Sequence, residues 1–142
     1  MYLTNFFSEK KDFKGYNKKR IRSLIKEISK LERKKLVFIN CIFCSDSYLL
    51  EINKKYLQHN DYTDVITFDH KESAENIEGD IYISIDRVKE NAKKHKENEE
   101  EELIRVITHG MLHLIGYTDK TKKEKDIMTQ KENKYISLYK KP

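Results

Sequence analysis

The chain has 142 residues, 37% hydrophobic and 37% charged, with 29 Lys and Arg against 24 Asp and Glu for a net charge of +5. That length can bury a core without disulfide staples, so residues 1–142 read as a single domain. No stretch approaches the roughly 20 apolar residues of a membrane span, and the start M-Y-L-T-N-F-F-S-E-K lacks the basic-then-apolar order of a signal peptide. No membrane partner is expected, and a cytoplasmic location follows. The basic balance, with a sequence pI near 9.0, suits a polyanion such as RNA but does not by itself name one.

Residues 3–8 form a short aromatic run expected as an edge strand. From Asn17 the spacing of Ile21, Leu24, Ile25, Ile28 and Leu31 predicts a helix with one buried face. Lys18, Lys19, Arg20 and Arg22 cluster at its start; this is a solvated helix face, and RNA passing over it is compatible with that reading. L-V-F-I-N-C-I-F-C, residues 36–44, is the strongest strand signal. Cys41 and Cys44 lie three apart, so a strand turns them to opposite faces, and no second pair completes a four-thiolate zinc site. Reduced, buried structural thiols are expected.

Asp46 or Ser47 is expected to cap a second helix with Leu49, Ile52 and Tyr56 on its apolar face, ending near Leu57. The polar loop 58–64 holds His59 and reads as substrate-facing or as plain surface. Short strands at 65–68 and 80–85 are expected to form a hairpin. Asp86 is expected to cap a charged helix running to about His95. The acidic block 97–102 then opens another helix, where carboxylates favour the positive end of the dipole. After Asp119, Thr121 caps a last helix in which Met128, Glu132, Tyr135 and Tyr139 share a face. The predicted fold is α+β, a small mixed sheet with about five helices.

Chemistry concentrates in I-R-V-I-T-H-G-M-L-H-L-I-G-Y-T-D, residues 104–119. His109 and His113 are four apart, so a helix stacks their imidazoles one turn apart on one face. Leu103, Val106, Ile107, Met111 and Leu114 form the stripe that buries the opposite face. A glycine inside a helix costs about 1 kcal/mol relative to alanine, so Gly110 implies a close approach to that backbone. Gly116 ends the helix, and Tyr117-Thr118 either turns Asp119 back toward the histidines or leaves it in a solvated turn. Two imidazoles, one carboxylate and an open fourth position make the ligand set of a catalytic zinc site. Gly110 stands where the glutamate of His-Glu-x-x-His serves metalloproteases as general base, so peptide hydrolysis is not expected.

H-G-M-L-H-L-I-G-Y-T-D resembles the H-G-x-L-H-L-x-G-Y-D-H signature of the YbeY family of bacterial metal-dependent endoribonucleases. I-N-K-K-Y-L-Q-H-N-D-Y-T-D-V-I-T-F, residues 52–68, and G-D-I-Y-I-S, residues 79–84, resemble two further segments of that family, and Met128 and Glu132 match a pattern beyond the histidines. The resemblance implies the same α+β architecture, with the sheet and second helix flooring a cleft and the histidine helix presenting the metal at its edge. It also implies single-strand-specific endoribonuclease action in 16S rRNA 3′-end maturation and ribosome quality control. The partners would be the rRNA precursor and the small ribosomal subunit, with no DNA.

Two positions depart from the family. Its third histidine falls on Asp119, which would ligate with added negative charge and make the metal a weaker Lewis acid. Its arginine falls on Leu57, which cannot contact a phosphate, so that role is either dispensed with or taken by a neighbour such as Lys54, Lys55 or His59. One zinc held by His109, His113 and Asp119 is expected, since imidazole suits zinc better than magnesium, with nickel or another transition ion as alternatives. No general acid or base is assigned. A metal hydrolase of another substrate, or a non-catalytic ribosome-assembly factor with a structural metal, remain the alternative readings.

Overall fold

The computed structural model describes residues 2–10, 13, 15–59 and 62–141. Its elements run β1 (Thr4–Ser8), α1 (Lys18–Leu31), β2 (Lys35–Cys44), α2 (Asp46–Leu57), β3 (Val65–Asp69), β4 (Asn76–Ser84), α3 (Ile85–Lys94), α4 (Glu99–Ile115) and α5 (Lys122–Lys140). The four strands form one mixed sheet in the order β1-β2-β4-β3. Strands β1, β2 and β4 run parallel, and β3 closes the sheet as the antiparallel partner of β4. The expected edge strand and hairpin are both present.

Alternation decides which face meets which helix. Along β2 and β4, Ile39, Cys41, Phe43, Ile77, Ile81 and Ile83 point to one side, where Ile21, Leu24, Ile25 and Ile28 of α1 join Leu103, Ile104, Ile107 and Met111 of α4. Each fully buried side chain of this kind contributes roughly 1.5–3 kcal/mol. On the reverse face Cys44, Leu49 and Ile66 form a smaller cluster beneath α2. The two cysteines therefore do lie on opposite faces, and burial pushes both thiols up to about 12, so neither is poised for redox or metal chemistry.

Several local expectations are corrected. Ser45, not Asp46 or Ser47, caps α2, and Ser84, not Asp86, caps α3. The two aspartates instead cross-link these helices: Asp46 accepts from Arg87 Nε and Ser84 Oγ, while Asp86 accepts from Lys10 Nζ and the Asp46 amide. Leu31 is exposed because α1 ends there and the chain turns away through Arg33, whose φ is +57°. On α2, Leu49 and Asn53 are buried whereas Tyr56 is exposed, its ring set edge-on to Phe68.

Two glycines let the histidine helix settle on the sheet. A Cβ on Gly110 would stand 2.8 Å from Cγ2 of the fully buried Ile81, and one on Gly79 would stand 2.9 Å from a methyl of Leu114. The close approach implied by Gly110 is thus the sheet itself. No helix among the described residues is long and apolar enough to cross a membrane.

Candidate metal centre

Helix α4 starts with Asn98, whose side chain accepts from the Glu101 amide, and four glutamates fill its first turn. It ends at Gly116, whose φ of +126° is costly for any residue with a Cβ and whose N–H reaches the carbonyls of Leu112 and His113. Between these ends, Ile104, Val106, Ile107, Met111 and Leu114 are buried, leaving His109 and His113 part-exposed.

The two rings stand nearly perpendicular, with Nε2 atoms 3.0 Å apart. Asp119 does turn back, placing Oδ2 at 3.4 Å from His109 Nε2 and 3.5 Å from His113 Nε2. These three side chains are the group of potential metal ligands among the described residues, with ligand atoms all within 4.8 Å of one another.

Each ring is oriented from behind. His109 Nδ1 donates to Glu132 Oε2 at 2.7 Å, and His113 Nδ1 donates to the Tyr117 carbonyl at 3.0 Å. With both Nδ1–H groups directed outward, the neutral rings turn two Nε2 lone pairs and one carboxylate oxygen onto a common point. That arrangement of donors fits a metal cation. Burial would lower the His109 pKa, but the hydrogen bond and charge of Glu132, aided by Asp119 and Asp64, outweigh it and hold the ring above its usual value.

Further support lies deeper. Glu132 is buried and also faces Arg105, which reaches Glu97, Glu102 and Asn133 as well. At the other end Tyr117 donates to Glu32 at 2.6 Å, and Glu32 also receives Tyr135 and Lys131. Burial alone would raise the Glu32 pKa; these three donors bring it below the ordinary carboxylate value. The segment leading to Asp119 is thereby pinned to α1 and α5.

Glu102 is a costly member of this network. Its burial, with only distant help from Arg105 and repulsion from Glu97, Asp64 and Glu132, raises its carboxyl to about 7. As pH rises from the ordinary value of 4.5 to about 7, the unfolded chain releases this proton while the folded chain retains it, so this group's contribution to stability falls. The Glu102→Gln variant should melt higher than wild type at about pH 8 and alike at about pH 4. Equal midpoints at both would remove Glu102 as a pH-dependent burden.

The cleft in front of the cluster has a volume of about 800 Å³ and is walled by Asn53 and Leu57 of α2, Val65–Thr67 of β3, His109 and His113 of α4, and 116–119. His59 lies on its lining with Tyr62, Thr63 and Asp64. Lys54 and Lys55 do not: Lys54 approaches Glu51 at 3.9 Å, and Lys55 sits over the Tyr56 ring. Leu57 presents an apolar wall. Sequence reasoning had not found Glu132 as the partner of His109, the Tyr117 carbonyl as that of His113, or Asp64 in the cleft. A carboxylate on the otherwise apolar face of α5 was the available signal for Glu132.

The profile of the family described as Endoribonuclease YbeY matches residues 5–140. The chain belongs to the YbeY family. One family relative, Endoribonuclease YbeY of Cytophaga hutchinsonii, is 48% identical over 135 residues, covering 95% of this chain and 94% of its own. That of Karelsulcia muelleri is 48% identical over 139 residues, covering 98% and 97%. A solution structure from Thermotoga maritima superposes with a TM-score of 0.67 at 28% identity, covering 96% of this chain and 89% of that one. Family membership together with the His-His-Asp cluster marks a metal-dependent hydrolase with an RNA-related function.

Proposed function

We propose that this chain is a zinc-dependent endoribonuclease of single-stranded RNA, acting in 16S rRNA 3′-end maturation and ribosome quality control. The rRNA precursor and the small ribosomal subunit are its partners, and residues 1–142 act as one catalytic domain. The observation that carries the reading is the convergence of His109 Nε2, His113 Nε2 and Asp119 Oδ2 in an open cleft, with both Nδ1 atoms already engaged behind them.

His109, His113 and Asp119 would hold the metal. When bound, zinc supplies Lewis acidity, drawing charge from a phosphoryl oxygen or lowering the pKa of water toward neutrality. Glu132 and the Tyr117 carbonyl fix the tautomers, so both imidazoles present a lone pair rather than a proton to the cleft. Asp119 contributes a charged oxygen where the family has a third imidazole. Its negative charge lowers the net positive charge at the centre and with it the pull on phosphate oxygen. His59 is the proposed phosphate contact from the cleft wall, in the neighbourhood of Leu57.

The test is cleavage of matched single-stranded and duplex RNA by protein stripped with a chelator and then reloaded. Loss on stripping, recovery with zinc but not magnesium, and preference for the single strand are expected. Cleavage that survives stripping unchanged would overturn the reading.

A further inference from the structure

The cleft lining contains no Lys or Arg among the described residues, while two carboxylates, Asp64 and Asp119, face into it. Beyond a metal held at its histidines and the His59 contact, a polyanion entering it draws its electrostatic attraction from elsewhere on the molecule. The charge map shows where. Residues 18–35 carry nine Lys and Arg against two Glu, an excess of seven, whereas the whole chain has a net charge of only +5. All the rest of the molecule is therefore net acidic.

Within this segment Lys18, Arg22, Lys26 and Lys30 recur every four residues, so they form a row along α1 with steps of about 6 Å. An ordinary solvated helix face interleaves acids that pair with its cations. Here Glu27 is the only acid in α1, and among the described residues no Lys or Arg of α1 joins an ion pair. Beside the row lies a groove of about 430 Å³, lined by Arg22, Lys26, Lys30 and Lys34 with Tyr2 and Leu3 on the β1 side. Tyr2 is 63% exposed, and the Arg22 guanidinium lies 3.7 Å from its ring centroid. Cations in line with an exposed aromatic ring are the two parts of a single-strand platform, the first for phosphates and the second for a base.

We propose that this groove is a second RNA-binding site, which holds the single-stranded flank of the substrate by its phosphates and stacks a base on Tyr2. The C-terminal end of α1 adjoins the cleft wall, where Glu32 accepts from Tyr117, so a strand lying along the row is led toward the metal centre. The inference rests on the RNA reading above.

The experiment measures binding of 2′-O-methyl RNA, which resists hydrolysis, to the full chain as a function of salt. Oligonucleotides of about 5 and about 16 nucleotides are compared. Lys26→Gln/Lys30→Gln should weaken the longer RNA about tenfold at low salt and flatten its log–log salt slope by about 1.4. Tyr2→Ala should weaken the longer RNA about fivefold. The exposed α3 pair Lys89→Gln/Lys93→Gln removes the same charge and should change neither. Wild type that cleaves and binds RNA while Lys26→Gln/Lys30→Gln binds equally well would overturn the groove alone. Equal weakening by the α3 pair would overturn it in favour of bulk charge, and polyglutamate binding lost in place of RNA binding would reassign it to an acidic protein. Wild type that binds neither RNA fails the underlying reading instead.

Discussion

Replacing His113 by alanine is expected to abolish RNA cleavage while leaving the fold and RNA binding intact. The imidazole offers one of the three converging donors, and among the described residues no other side chain is placed to substitute for it. A metal supplies several kcal/mol of transition-state charge stabilisation, so its loss should slow cleavage by about 10³-fold or more. The fold should tolerate the change, because His113 is part-exposed and alanine is the best helix former. Circular dichroism, RNA binding and cleavage should be measured on one preparation. Loss of binding together with cleavage would give the metal a structural role and contradict the account.

The second large effect belongs to a residue that contacts neither metal nor RNA. Glu132→Gln keeps the shape of the side chain but removes the charge that accepts from His109 Nδ1 at 2.7 Å. Outer partners of metal-binding histidines are typically worth 10–100-fold in metal affinity, so about tenfold is expected for glutamine and up to about 100-fold for alanine. Competition for zinc against a chromogenic chelator reads this directly. In Glu132→Ala, Arg105 retains Glu97 and Glu102 as partners, so the arginine is not left buried and unpaired. Unchanged zinc affinity in both variants would show that the Glu132 contact does not prepare the ligand.

These two residues also mark how far the sequence could be read. His109 and His113 were legible because helical periodicity is local: four residues fix a face, and the apolar stripe fixes which side is buried. Gly110 was legible for the same reason, as an unfavourable residue in a helix that needed a neighbour to justify it. The strands were legible from alternation, and β4 shows it almost residue by residue. The caps were shifted because Ser45 and Ser84 stand one or two positions ahead of equally good aspartates. Only the cross-links of Asp46 and Asp86 between α2 and α3 decide between them. The partners behind the site were not legible. Glu132 lies 23 residues beyond His109, and Glu32 lies 85 residues before Tyr117, separations over which no periodicity operates. The basic row on α1 was visible as composition, but its lack of pairing acids and the groove beside it are properties of the folded surface.

Asp119 carries the most weight, since it lies within reach of both imidazoles. The most direct measurement is elemental analysis of the purified, untagged protein alongside Asp119→Ala. About one equivalent of zinc per wild-type chain and a clear drop in the variant are predicted. Zinc unchanged in Asp119→Ala, or no transition metal in either protein after reconstitution, would contradict the two-histidine, one-carboxylate centre on which the proposed chemistry stands.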